Sequence, residues 1–354
     1  MMRRRTMLLL PLALAGSAAA ATLSRRRGAP PPEDPAPDTG LTLQRVAMGT
    51  LWQVVLPPGA PAHAAAAASR ALDEVQRLED VLSEFRPDTE VSRINAAAGA
   101  DPVRVSQDTW YVTEQSLRYA ALSDGAFDPT WAAMRSLWDF RSATALPPDP
   151  AEVRARLPLV DWRAVEMDPA ARTIRLRRPG MAMGFGGIAK GYALDRMRAL
   201  LLGDGVRDFV LYSGGQVLAE GTRGGRPWRV GVQHPRDPEA LLGALSVTAA
   251  SVSTGGDYEH SFMHEGRRYH HVIDPRTGWP VEHTASVTIL ARTALEADAL
   301  DTALFVMAPQ RAMAMAREMG VAMLRTDPAM RNEMTPAMSA VFEQRVAMEA
   351  TESS

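Results

Sequence analysis

The segment Gly184-Phe185-Gly186-Gly187-Ile188-Ala189-Lys190 holds the only lysine of a 354-residue chain, every other member of its 39 Lys and Arg being arginine. Gly186 and Gly187 permit close approach of a ligand to backbone. The helix that begins near Ile188 offers free N–H groups and the positive end of its dipole to an anion. A cation in the first helical turn is disfavoured by that dipole unless an anion lies nearby. Lys190 therefore reads as a ligand contact, the alternative being a tight turn with a solvated lysine. Gly184-x-Gly186-x-x-Ala189 fits a loose dinucleotide fingerprint, but the strand that follows ends in Ser213-Gly214-Gly215, where that fold needs an acid for the ribose. Lys190 is followed by Gly191 rather than Ser or Thr, which excludes a P-loop.

A second constellation is Thr293-Ala-Leu-Glu296-Ala-Asp298-Ala-Leu-Asp301-Thr302. Thr293 and Glu296 have the spacing of a capping box. Asp298, Asp301 and Thr302 follow at i, i+3 and i+4, on one helical face beyond the first turn. They stand among Ala, Leu, Phe and Val, where unpaired charge is costly. Two carboxylates and a hydroxyl are hard oxygen ligands suited to Mg2+, especially with a diphosphate completing the shell. A solvated acidic face is the alternative. A third stretch, His270-His271-Val272-Ile273-Asp274-Pro275-Arg276-Thr277-Gly278, runs from a strand into a turn. Neighbouring strand residues face opposite ways, so at most one of the two histidines points into a given site.

The elements that position these residues follow from periodicity. Residues 62–84 have an apolar stripe through Leu72, Val75, Leu78 and Leu82, predicting a helix. Further helices are expected near 107–122, from the glycine turn to about 202, and from Thr293 to Met307. Strands are expected after residue 41, at Asp208–Tyr212 and in a hairpin around Ala164–Leu176. The remainder of 141–180 is Pro-rich and reads as irregular. Strands and helices intermingle without regular βαβ alternation, which points to a single α/β (α+β) domain over residues 41–345, with a short tail at 346–354.

Residues 1–21 combine a basic start, a short apolar run broken by Pro11 and Gly16, and a small-residue end, the layout of a signal peptide. Arg3, Arg4 and Arg5 suit a twin-arginine signal. Residues 22–40 form a Pro-rich linker. A formal net charge of −2 supplies no general electrostatic case for nucleic acid. The absence of cysteine rules out disulfides, thiolate metal sites, a Cys nucleophile and a lipid-bearing Cys. An exported, soluble, periplasmic protein is the expectation.

Eight stretches in this order resemble the ApbE family, the FAD:protein FMN transferases. They are MGT at 48–50, FRPDTEVSRIN at 85–95, DGAFDPT at 124–130, GGIAKGYALD at 186–195, SGGQVLAEG at 213–221, SVSTGGDYEHSF at 251–262, HHVIDPRTGWPVEH at 270–283 and ALEADALDTALFVM at 294–307. The resemblance implies a compact ApbE-like, T-fold-like domain. It implies an enzyme that splits the diphosphate of FAD, attaches FMN through its phosphate to a threonine of an acceptor protein, and releases AMP. The acceptor would belong to a membrane or periplasmic electron-transfer system. By the family pattern Met48, Phe85, Ala126, Phe127, Asp128, Lys190 and Ile273 would line the FAD site. The Gly187 carbonyl with Asp298, Asp301 and Thr302 would hold Mg2+. His271 would help in transfer, with Asp274 as the alternative proton acceptor.

The chain also departs from that pattern. Gly184 stands where an Asp that contacts FAD is usual, Gln216 where an Asp is usual, and Trp131-Ala132-Ala133 follows the FDPT motif. Restoring Asp at 184 is expected to tighten flavin binding or leave it unchanged. An FAD pyrophosphatase and a non-catalytic FAD-binding protein are the alternatives to transfer.

Overall fold

The computed structural model describes residues 40–344 apart from 141 and 143. The described residues form one compact unit. The signal-peptide, linker and tail assignments lie outside the described residues. No helix among the described residues is long and apolar enough to cross a membrane.

An eight-stranded sheet is the frame. Its spatial order is Leu41–Ala47, Thr50–Leu56, Phe209–Ser213, Gln216–Glu220, Ala249–Gly256, Ser286–Ala291, Ala322–Thr326 and Asn332–Met334. Every neighbouring pair is antiparallel, so the architecture is α+β and the parallel nucleotide-binding arrangement is absent from this sheet. Alternation along the strands feeds two cores. Trp52, Val54, Leu211, Leu218, Val287 and Ile289 pack on the helical side. Val210, Ala219, Val252 and Leu324 face a second sheet built from Trp228–His234, Asp237–Val247 and Phe342–Gln344.

The sheet is accompanied by helices α1 (Ala64–Leu82), α2 (Glu90–Ala96), α3 (Gln107–Leu122), α4 (Pro150–Arg156), α5 (Ala189–Gly203), α6 (Ala294–Val306) and α7 (Pro309–Glu318). Helix α1 buries Ala64, Ala67, Ala68, Ala71, Leu72, Val75, Leu78 and Leu82, the stripe its sequence shows. Helix α6 is buried on nearly its whole circumference, because it lies between the sheet and α5. Gly191 makes that packing possible: a Cβ there would stand 2.3 Å from the Ala294 carbonyl oxygen. The stretch expected to be irregular contains α4, started by Pro150 in its first turn and by the Asp149 carboxylate, which accepts the Ala151 N–H at 2.7 Å. The anticipated hairpin follows as Val165–Asp168 and Thr173–Leu176.

Candidate active site

The start of α6 is fixed twice. Thr293 accepts the Glu296 N–H at 3.2 Å, the local cap visible in the sequence. Asp195 of α5 accepts the N–H groups of Ala294 and Leu295 at 2.8 and 2.9 Å, a partner 99 residues distant that spacing cannot reveal. With both N-terminal donors held, α6 points Asp298 and Asp301 into the interior at 4% and 5% exposure. The solvated-face alternative is therefore excluded.

Each carboxylate is oriented by groups from other elements. Asp298 Oδ2 accepts the Gly191 N–H at 2.9 Å, and its Oδ1 lies 3.6 Å from Lys190 Nζ. Lys190 Nζ also donates to the Gly186 carbonyl at 2.8 Å. The anion that the helix dipole requires beside Lys190 is thus Asp298. Asp301 accepts from Ser253 Oγ, on the central strand Ala249–Gly256, and from Thr302 Oγ1 at 3.1 Å. Burial, and then the charge of Asp298, push the Asp301 carboxyl well above the ordinary carboxylate range; Ser253, Lys190 and Thr302 oppose this. A Cβ on Gly187 would stand 2.9 Å from Thr302 Oγ1 and 3.2 Å from the Phe127 ring, so only glycine lets this backbone reach the acidic face.

This donor set fits a hard divalent cation. Two adjacent buried carboxylates share one lysine, so the second ionises readily only with a further cation beside it. No group of three or more His, Cys, Asp or Glu side chains able to hold a metal occurs among the described residues. A cation here would therefore draw on hydroxyl and backbone oxygen besides Asp298 and Asp301.

The histidines divide as strand geometry requires. His270 is buried, its Nε2 2.6 Å from the Val281 carbonyl oxygen and its ring edge-on to Phe305, a packing role. His271 is half-buried with its ring 5.4 Å from that of His260. Burial first, then His260, His270 and Lys190, lower the His271 pKa to about 3, so its imidazole is neutral. Its Nδ1 is enclosed and has no hydrogen-bond partner among the described residues. Asp274 is engaged by Arg276, whose Nε and Nη2 donate to the two carboxylate oxygens at 2.8 and 2.9 Å.

The remaining candidates are placed in different ways, and only Phe127 is in contact with the glycine of this centre. Phe127 is buried beside Gly187, with Ala126 buried before it. The Asp128 carboxylate serves the fold: it accepts the Thr130 N–H and hydroxyl at 2.8 and 2.6 Å and the Trp162 N–H at 3.1 Å. Met48, with φ of 48°, occupies the turn between the first two strands. That turn is at the end of the sheet where Trp52 pairs with Ser213, Ser213 with Gln216, and Gln216 with Ser253. Ile273 packs with Trp138, Phe262 and Tyr269 in a separate cluster. Phe85 is 71% exposed, its ring 4.5 Å from the Arg135 guanidinium. Two surface clefts of about 820 and 490 Å3 are lined by other residues, among them Trp279 in the first and Arg325 in the second.

Two departures from the family pattern have structural explanations. Gln216 is buried and donates to the Ala294 carbonyl at 2.6 Å, tying the sheet to the start of α6. At Gly184 a Cβ would lie 1.3 Å from Oε2 of Glu84, so an Asp there, expected to tighten flavin binding or leave it unchanged, would have to displace that carboxylate. Glu84, Asp195 and Ser253 are the residues that sequence reasoning missed, and none belongs to a spacing pattern that signals its partner.

The sequence model of the ApbE family matches residues 48–324. An FAD:protein FMN transferase of Klebsiella pneumoniae is 34% identical over 258 residues, spanning 72% of this chain and 80% of that protein. Another, from Treponema pallidum, is 36% identical over 299 residues, spanning 77% of this chain and 80% of that protein. The crystal structure of the ApbE protein of Thermotoga maritima is similar with a TM-score of 0.78 and 30% identity, covering 86% of this chain and all of that one.

Proposed function

The chain belongs to the ApbE family, and we propose that it performs the reaction for which its relatives are named, transfer of FMN from FAD to a protein. The observation that carries this is the buried face of Asp298, Asp301 and Thr302 closed over by Gly187 and Lys190. One or two carboxylates together with substrate phosphates are the usual way a protein holds Mg2+.

In the proposed reaction a threonine hydroxyl of the acceptor attacks the FMN-side phosphorus of FAD. The bond from that phosphorus to the bridging oxygen breaks, AMP departs with the bridging oxygen, and FMN remains joined to the acceptor through a phosphoester. Mg2+ held by Asp298, Asp301, Thr302 and the Gly187 carbonyl would supply neutralisation of the diphosphate charge. Lys190, held by Asp298 and the Gly186 carbonyl, sets a fixed positive charge beside the same phosphates. The hydroxyl proton goes to His271, whose ring is neutral and half-buried and whose basicity a neighbouring diphosphate would raise. Asp274 suits this less well, since Arg276 occupies both its oxygens. Export by the arginine-bearing leader, a periplasmic location and an acceptor in an electron-transfer system complete the reading.

Incubating the protein with FAD and Mg2+, with and without a threonine-bearing acceptor, is the test. AMP formed only with acceptor, together with flavin on the acceptor, is expected. AMP without acceptor would identify a pyrophosphatase, and bound FAD without AMP a binding protein.

A further inference from the structure

Three separate stretches of chain meet on one buried carboxylate. Glu84 follows α1, its side chain 6% exposed. Its Oε1 lies 2.9 Å from Nη2 of Arg135, on the 3-10 helix Pro129–Leu137. Its Oε2 has no hydrogen-bond partner among the described residues and sits where a side chain of residue 184 would begin. The Gly184 N–H donates to the Pro129 carbonyl at 2.8 Å, which binds the glycine segment to the start of the Arg135 helix. The Arg135 guanidinium covers one face of Phe85, and the residue remains 71% exposed.

An exposed aromatic ring beside a site has rotational freedom that a ligand must arrest. A guanidinium behind the ring restricts it and adds a cation–π contact, but a long arginine side chain is itself mobile unless anchored. Glu84 is the anchor, and a buried carboxylate without that arginine would be left unpaired. Any residue larger than glycine at 184 displaces the carboxylate, so Gly184 and Glu84 depend on one another.

We propose that Glu84 is a positioning residue: seated in the side-chain space of Gly184, its carboxylate holds Arg135 against one face of Phe85 and so presents the other face to a planar ring of the nucleotide substrate. The inference rests on the reading that this site takes FAD. It assigns to Glu84 a role that no residue at position 184 fills in this chain.

The test uses E84Q, which keeps the volume and removes the charge, R135M, which keeps the length, and the pair G184A and E84A with their double variant. Assayed at pH 8, where the Glu84 carboxyl is ionised, E84Q and R135M should each raise the KM for FAD about tenfold while kcat stays within about twofold. E84Q/R135M should be no worse than either alone, because both break one clamp. G184A should lower the melting temperature by displacing the carboxylate, and E84A/G184A should recover that loss, the new methyl filling the vacated space. The double variant should nevertheless keep the raised KM for FAD, a readout that mere filling of space would restore. An unchanged KM in E84Q or R135M, a loss confined to kcat, or additive melting effects of G184A and E84A overturns the proposal. The melting cycle is read without FAD, so a parent protein that fails to bind FAD would defeat the functional reading while leaving the Glu84–Gly184 dependence separately measurable.

Discussion

Replacing Glu84 by Gln should remove a pH dependence of stability whose size follows from its surroundings. Burial raises the Glu84 carboxyl from 4.5 to about 7, against the opposing pull of the Arg135 charge and the Phe185 backbone amide. The folded state therefore holds its proton more tightly than the unfolded chain does. The stability associated with that proton is fully present below pH 4.5 and is lost as the pH rises through 7. The linkage relation with these two values leaves a loss of about 1 kcal/mol near pH 5 and about 3 kcal/mol near pH 8. Parent and E84Q should thus separate by about 2 kcal/mol between those conditions, the parent losing ground as pH rises. Every other titrating group contributes equally to both proteins and cancels in the comparison. Urea unfolding at the two pH values measures the difference, and in thermal melts it corresponds to about 5 °C for a domain of this size. If the two proteins lose stability in parallel from pH 5 to pH 8, the Glu84 carboxyl is not enclosed as described, and the clamp on Phe85 loses its anchor.

Asp298→Asn and Asp301→Asn retain the acceptor oxygens that hold Gly191 and Ser253, so both variants should fold, while AMP release falls at least about a hundredfold. A saturating Mg2+ concentration, about a hundred times its Kd, should stabilise the parent by about 2.7 kcal/mol and leave both Asn variants unmoved in thermal melts. His271→Ala should slow flavin transfer to the acceptor by about 100-fold or more with FAD affinity preserved; equal transfer by the variant would remove His271 from the reaction. Gly191→Ala, whose methyl would meet the Ala294 carbonyl at 2.3 Å, should force α5 and α6 apart and lower stability by roughly 3 kcal/mol in urea unfolding. Replacing Arg3, Arg4 and Arg5 with Gln should leave precursor in the cytoplasm on cell fractionation, and normal periplasmic accumulation would refute the arginine-dependent route.

Amphipathic spacing in 62–84 was enough to locate α1, because a helix brings residues three and four apart onto one face whatever surrounds it. The same rule placed Asp298, Asp301 and Thr302 together, and the Thr293 cap announced where their helix begins. Helical periodicity cannot say which face is inside when a helix is apolar all round. For α6 that was decided by the sheet, by α5 crossing at Gly191, and by Asp195 at its N-terminus. Ser253 reaches Asp301 only because the register of the central strands carries it to that point. Gln216 and Gly184 show the limit most plainly. As letters in a motif each marks a missing acid; in space one fastens the sheet to α6 and the other makes room for a carboxylate from 100 residues earlier. Short-range patterns are dictated by backbone geometry within a few residues. The filling of one residue's side-chain space by another's depends on how distant segments pack, and only the folded chain brings those segments together.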